Sequence, residues 1–343
     1  MKTVHLKTVD AFVAFDLDCR TSAGGTRLAP DVTERETQLL ARAMTYKFAV
    51  LGVSLGGAKA AIRATEADRD EALRRYCDEI RPWVEEQRFL TATDLGTQPE
   101  DFASLPGGEA DELMHTTYHG MPLDAYITGL GVATAAETAL GGLAGRSAAV
   151  EGFGKVGGAA SVELVRRGAR LVAFSTIHGC AAKAEGFDVE HLLQLRSRHG
   201  DRLVEHLGVE PRPAADLFMV EADVLVPGAR PGVLDEERAA HVRVKVVAPA
   251  ANVPYTRAGL DVLRRRRIPA LADFVCNAGA TIGYVAGVHS VEQALNRVEE
   301  RVRELTSCSL EHPAGPHQGA TEIAEQHLRT WAADQMPEGP PLA

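Results

Sequence analysis

The apolar and polar positions of this chain change their spacing near residue 146, and the change divides it into two kinds of structure. In the first part, "DAFVAFDLD" (Asp10–Asp18) is strand-like and "SAGGTRLAP" (Ser22–Pro30) reads as a glycine-containing turn. Apolar residues then recur at helical spacing through "TERETQLLARAMTYKFAVL", where Thr33 as N-cap and Glu36 at N3 spell a capping box. In "GVSLGGAKAAI", Lys59 follows directly behind a Gly-Gly-Ala turn. "EADRDEALRRYCDEIRPWVEE" predicts an amphipathic helix, "RFLTATDLG" a short strand running into a loop, and roughly Leu130 to Leu143 a further helix. From Arg146 strands and helices alternate, which argues for a parallel sheet with crossover helices. The strands are "SAAVEGF", "ARLVAFS", "ADVLVPG", "VKVVAPA" and "IPALADF", and "KVGGAASVELVRRG" is the first crossover helix. After Cys276 helices return, including "SVEQALNRVEERVRELTSCSL". The closing "MPEGPPLA" reads as a disordered tail from about 336.

The length of 343 residues suits two domains around separate cores. With 47 acidic against 37 basic residues, net charge −10, the surface repels nucleic acid and anionic membranes. The one basic run, Arg264–Arg267, ends a helical pattern, where cations complement the helix dipole. No stretch approaches the ~20 apolar residues of a membrane span. Five scattered cysteines without a CxxC or His/Cys cluster disfavour disulfides and structural zinc, so no metal is expected and a reducing cytoplasm is the default location. His115 and His119 are spaced to meet on a helix face, but no third ligand accompanies them, and solvated histidines are the better reading.

"EGFGKVGG" places Gly152, Gly154 and Gly157 as G-x-G-x-x-G, after a strand and at the opening of a helix. In that setting Gly152 permits the tight turn, Gly154 lets backbone approach a pyrophosphate, and Gly157 lets helix and strand pack closely. Lys155 and Val156 then supply N–H groups at the helix start to the anion. The acid that usually binds the ribose 2′-OH is missing: the second strand ends at Ser175-Thr176, so NAD and NADP both fit.

Lys59 has no Walker loop around it, since Ala60 follows where serine or threonine is needed. A lysine beside glycine backbone loses solvation and suits proton transfer, and a nearby carboxylate could shuttle protons to an amine. Lys47 and Asp94 are the charged residues that accompany it.

"GGTRLAP", "LARAMTYKFAVLGVSLGGAKAAI" and "TATDLGT", followed by "YITGLGV", "GFGKVG", "ADVLVPGA", "APAANVP" and "DFVCNAGA", resemble in order the hallmarks of the glutamate/leucine/phenylalanine/valine dehydrogenases. The resemblance runs from roughly Asp10 to Leu305. It implies an α/β fold of two domains: a substrate-binding and catalytic domain (1–127) and a Rossmann-type dinucleotide-binding domain (128–278), with helices from 279–343 packing back on the first. It also implies that Lys47 binds the substrate α-carboxylate, that Lys59 polarises the carbonyl or activates water, and that Asp94 moves protons on the amino group. Thr128 would lie near the nicotinamide amide, Gly228 and Ala229 beside the cofactor, and Asn252 and Asn277 beside nicotinamide ribose and substrate. The implied reaction is NAD- or NADP-dependent oxidative deamination of an amino acid to its 2-oxo acid and ammonia, by a homo-oligomer.

Members acting on glutamate carry a lysine before the Gly-Gly of the first motif, where this chain has Ala23 followed by Gly24. With Ala92, Thr281 and Tyr284 at the other pocket positions, a neutral or aromatic side chain is expected rather than glutamate. The chain departs from the family in "TIGYVAG" after "NAGA", in "HTTYHGMPLDAYITG" before Thr128, and in Pro249. These departures point to a specialised biosynthetic amino acid. Two alternatives are a reductase of another imine or carbonyl compound and a catalytically silent ligand sensor. Keeping Lys47, Lys59 and Asp94 together argues against the sensor.

Overall fold

The computed structural model describes residues 1–106, 113, 116–208, 210–285 and 287–343. The chain forms two compact units, Met1–His115 with Thr321–Pro341 and Thr116–Ala320 with Leu342–Ala343. The boundary expected at 127/128 falls inside a helix of the second unit, Leu123–Leu140.

The first unit is built on a mixed sheet of β1 (Lys2–His5), β2 (Ala11–Phe15), β3 (Ser22–Leu28), β4 (Gly56–Ile62) and β5 (Phe89–Thr93), in spatial order β1-β2-β4-β3-β5. β3 runs parallel to both β4 and β5, while β2 is antiparallel to its neighbours. The helices α1 (Glu34–Val50) and α2 (Arg69–Glu85) cover it, and Val13, Ala58, Ile62, Tyr76, Ile80 and Phe89 share one buried core.

Both glycine pairs expected to form turns lie in strands instead. Their glycines serve close approach rather than chain reversal. An ideal Cβ on Gly57 would stand 2.1 Å from Ala41 O and 2.3 Å from Thr45 N, so only glycine lets α1 lie against β4. The contact is then used: Gly57 N–H donates to Thr45 Oγ1 at 3.0 Å. The capping box at Thr33 is formed by half. Glu36 N–H donates to Thr33 Oγ1 at 3.2 Å, but the Glu36 carboxylate turns to Arg27 instead of the Thr33 backbone.

The second unit opens with a small hairpin, β6 (Thr117–Tyr118) and β7 (Met121–Pro122), and α3 (Leu123–Leu140). α3 starts before the predicted Leu130, with Pro122 at its N-cap position, and it ends at Gly141 in the left-handed conformation, φ 68°. Its sheet comprises β8 (Ser147–Glu151), β9 (Arg170–Thr176), β10 (Gly179–Ala182), β11 (Val224–Pro227) and β12 (Val246–Val247), in order β10-β9-β8-β11-β12. All pairings are parallel except β10 with β9, and β10 was not expected from the sequence. Between β8 and β9 lies the crossover helix α4 (Lys155–Arg166). Ala148, Ala149 and Val150 are wholly buried, the unbroken apolar run of a central parallel strand.

"IPALADF" makes no strand. It contributes one parallel bridge, Val247 to Ala270, and then enters the short helix α5 (Asp273–Cys276). Beyond it come α6 (Gly279–Val285), α7 (Val291–Leu310) and α8 (Pro316–Trp331). The tail, expected to be disordered, ends with Ala343 N–H donating to Tyr255 O at 3.0 Å and Leu342 packed on the second core. His119 sits in the turn of the β6–β7 hairpin rather than on a helix, with φ 49° and its ring edge-on to Tyr118; His115 lies outside the described residues. No helix among the described residues is long and apolar enough to cross a membrane.

Replacing Gly57 with Ala forces α1 off β4. The expected loss is about 1–3 kcal/mol, read as a lower midpoint in denaturant unfolding.

Candidate active site

On the first unit the charged residues singled out from sequence converge. Lys59 on β4 is 5% exposed, and its Nζ lies 2.8 Å from Oδ2 of Asp94, just past β5. Gly25 on β3 lies between them: an ideal Cβ there would stand 3.2 Å from Lys59 Nζ, 3.0 Å from Asp94 Cβ and 2.7 Å from Thr93 O. A side chain at this position would crowd the ion pair and clash with the Thr93 carbonyl.

Asp94 is held from several sides. Arg27 Nε reaches the same Oδ2 at 3.2 Å, and the Arg27 guanidinium also pairs with Glu36. Asp94 N–H donates to Thr97 Oγ1 at 2.9 Å, and that hydroxyl lies 2.9 Å from Thr26 O, which fixes the loop against β3. Burial pushes the Asp94 carboxyl up, but the charges of Lys59 and Arg27, with hydrogen bonds from Lys59 and the Leu95 N–H, hold it well below the usual carboxylate range. Arg27 and Thr97 were not singled out from sequence. Arg27 stood in view within "GGTRLAP", but nothing in its spacing says which carboxylate it meets.

Lys47, in the last turn of α1, is 6% exposed. Ala23 pairs with Gly57 and Leu90, and Ala92 pairs with Gly25 across the β3–β5 ladder, so Ala92 shares the face on which Lys59 and Asp94 meet. Gly24 is the point where β3 presses on Ala58, its missing Cβ directed at Ala58 O.

The remaining candidates lie in the second unit. Gly152 has φ 79°, and a Cβ on Gly157 would come within 2.1 Å of Gly152 O, so turn and helix meet as the fingerprint requires. Gly154 is the N-cap of α4 without a side-chain cap, and a Cβ there would meet only Gly152 O at 3.9 Å. The helix start, with exposed Lys155 and half-buried Val156, thus offers N–H groups beside open space, a cradle that fits the pyrophosphate of NAD or NADP. Gly152 N–H donates to Ser175 Oγ at 3.3 Å. Thr176 Oγ1 donates to Asp201 O at 2.7 Å and accepts from His178 N–H, so no carboxylate side chain stands at the strand end itself.

Glu151, missed from the sequence, closes the turn from the other side. Its Oε2 accepts from Gly228 N–H at 2.9 Å and Ala229 N–H at 2.8 Å, tying the end of β11 to the end of β8. Asn277 Nδ2 donates to Ala250 O, Ala251 O and Asn252 Oδ1 at 3.1–3.2 Å, which sets Asn252 in place. The next residue, Val253, has φ 54°, a strained conformation for a β-branched side chain, and its N–H is taken by buried Asp273 at 2.8 Å. Thr128 Oγ1 donates to Asp124 O at 2.7 Å and accepts from Ala280 N–H at 3.2 Å, joining α3 to α6. Thr281 is half-buried on α6 and Tyr284 is 37% exposed.

Residues 1–107 match the Glu/Leu/Phe/Val dehydrogenase dimerisation domain, and residues 120–316 match the Glutamate/Leucine/Phenylalanine/Valine dehydrogenase family. The chain belongs to this family. It is an NAD(P)-dependent amino-acid dehydrogenase, acting on a CH–NH2 group. Among its relatives, the NADP-specific glutamate dehydrogenase of Saccharolobus shibatae is 29% identical over 90% of this chain and 78% of the relative. The NADP(+)-dependent glutamate dehydrogenase of Pyrobaculum calidifontis is 30% identical over 82% and 73%. Of solved structures, the hetero-hexameric glutamate dehydrogenase of Thermus thermophilus superposes with TM-score 0.77 at 24% identity, covering 98% of this chain and 89% of that one. The L-tryptophan dehydrogenase of Nostoc punctiforme gives TM-score 0.63 at 23% identity, covering 96% and 95%. At these identities the two structures bear on the fold of this dehydrogenase alone.

Burial raises the Glu151 pKa, against the lowering effect of the two backbone N–H groups. An acid whose pKa is raised by folding costs stability as pH rises above its unfolded value, about 4.3. The dehydrogenase carrying Glu151→Gln, whose amide oxygen accepts the same two bonds, is therefore expected to match the wild type near pH 4 and to melt higher at pH 7. Thermal melts across that range test it.

Proposed function

We propose that this dehydrogenase carries out reversible oxidative deamination of an L-amino acid with a neutral or aromatic side chain, of a specialised biosynthetic kind, giving the 2-oxo acid and ammonia. The observation that carries the reaction is the Lys59–Asp94 pair, two opposite charges 2.8 Å apart and largely out of water. The side-chain preference is supported by Ala23 and Ala92, neither of which offers a cation to a glutamate side chain.

Lys47 receives the substrate α-carboxylate. The glycine turn, the N-terminus of α4, Ser175, Thr176 and Asn252 would hold the dinucleotide, and the oxidised nicotinamide would supply the acceptor for the α-hydrogen and its electron pair. Asp94 exchanges a proton with the substrate nitrogen. Lys59 takes the proton from the water that adds to the imine carbon, and its charge then stabilises the oxygen as ammonia departs. The match of residues 1–107 to a dimerisation domain supports a homo-oligomer.

Lys59→Ala is expected to abolish turnover while NAD(P)H still binds, as followed by nicotinamide fluorescence; surviving turnover overturns the mechanism. A panel of leucine, valine, phenylalanine, tryptophan and glutamate, with their 2-oxo acids plus ammonia in reverse, tests the side chain. Glutamate as the best substrate would sink the neutral-substrate reading and leave the reaction standing. Leucine, valine or phenylalanine turned over with ordinary efficiency would sink the specialised one.

A further inference from the structure

We infer that Arg27, braced by Glu36, is a positioning residue that fixes both the orientation and the protonation of the Lys59–Asp94 pair. The inference rests on the reading that this pair moves the protons of the reaction, but it makes a claim of its own about what controls the pair.

Lys59 Nζ and Arg27 Nε end on one oxygen, Oδ2 of Asp94, at 2.8 and 3.2 Å. A lone Lys–Asp pair would be a closed unit, in which the carboxylate holds the ammonium proton. A second cation on the same oxygen shares the negative charge of that carboxylate with Lys59. In the proposed reaction the lysine must accept a proton from water. The guanidinium is also shaped for such a role, since its planar fork reaches Asp94 through Nε and Glu36 through Nη1.

Among the described residues, charged side chains reach Asp94 from two strands. Lys59 comes from β4, Arg27 from β3, and Glu36 from α1 acts through Arg27. Tyr76 on α2 meets Thr26 Oγ1 at 2.7 Å, and burial suppresses its ionisation. Arg27 and Glu36 have side chains 15% and 31% exposed, so their fields on the pair are only partly screened.

The signs follow directly. Removing the Arg27 cation makes the pair take up a proton more readily, whichever member carries it. Removing the Glu36 anion leaves the Arg27 charge uncompensated and has the opposite effect.

Competitive acetylation with acetic anhydride, quantified at Lys59 by peptide mass spectrometry from about pH 6 to about pH 11, follows the amine without needing turnover. Arg27→Met is expected to move the Lys59 labelling curve to higher pH, Glu36→Gln to move it to lower pH, and Arg27→Lys to leave it near wild type. The ascending limb of kcat against pH for the best amino acid of the panel should move in the same directions. An unmoved Arg27→Met labelling curve overturns the inference. Should Arg27→Met fail to fold by circular dichroism, Glu36→Gln decides, and a curve that stays or moves upward overturns it. If labelling shifts as expected while Asp94→Asn keeps full turnover, the control by Arg27 stands and the catalytic reading of the pair falls.

Discussion

An ammonium and a carboxylate held 2.8 Å apart with little water around them are costly to bury, and the substrate unit is arranged to meet that cost. The carboxylate receives a second cation from Arg27 and a backbone N–H from Leu95, and Arg27 in turn is neutralised by Glu36. Minus, plus, minus and plus alternate from Glu36 through Arg27 and Asp94 to Lys59. No member is left buried without a partner, which is the condition under which such charges persist in a core. Space for the chain of charges comes from backbone, since glycine at 25 leaves the volume a methyl group would take from Lys59 and Asp94.

The nucleotide unit solves a related problem with the opposite materials. Its glycine turn is made of small residues and helix-start N–H groups, and a glutamate closes the same turn from behind. Glu151 commits its carboxylate to two backbone donors of the next strand's loop, so its charge is engaged by the scaffold. Asn277 and Asp273 serve the following loop in the same manner, one orienting Asn252 and the other holding Val253 in a conformation its branched side chain disfavours. Each of these polar groups shapes backbone, and the shaped backbone presents the site.

The relatives and the pocket residues pull in different directions, and the physics of recognition reconciles them. Relatives near 30% identity are glutamate dehydrogenases, yet charged recognition of a side chain hangs on one or two groups that a few substitutions remove. On the proposed reading, reaction chemistry needs Lys47, Lys59 and Asp94 in fixed relation, whereas side-chain choice rests on positions such as Ala23 and Ala92. The first is expected to outlast the second as sequences diverge.

Legibility followed the same division. The helix at Thr33, the alternation of strand and helix after Arg146 and the glycine turn at Gly152 were readable, because capping, periodicity and turn chemistry act over a few neighbouring residues. Motif order then named the family and pointed to Lys59 and Asp94. What was misread shows the limit. Both Gly-Gly pairs looked like turns, since glycine alone does not say whether it frees φ or makes room for another chain segment; here Ala41, Thr45 and Ala58 decide that it makes room. Glu36 looked like half of a capping box and is the counter-ion of Arg27, a partner on a different element. The sequence by itself determined the family and the reaction class, because these depend on which residues are present and in what order. Only the tertiary structure decided that Arg27 shares an oxygen with Lys59 and that Glu151 closes the nucleotide turn, because both depend on strands far apart in sequence meeting in register.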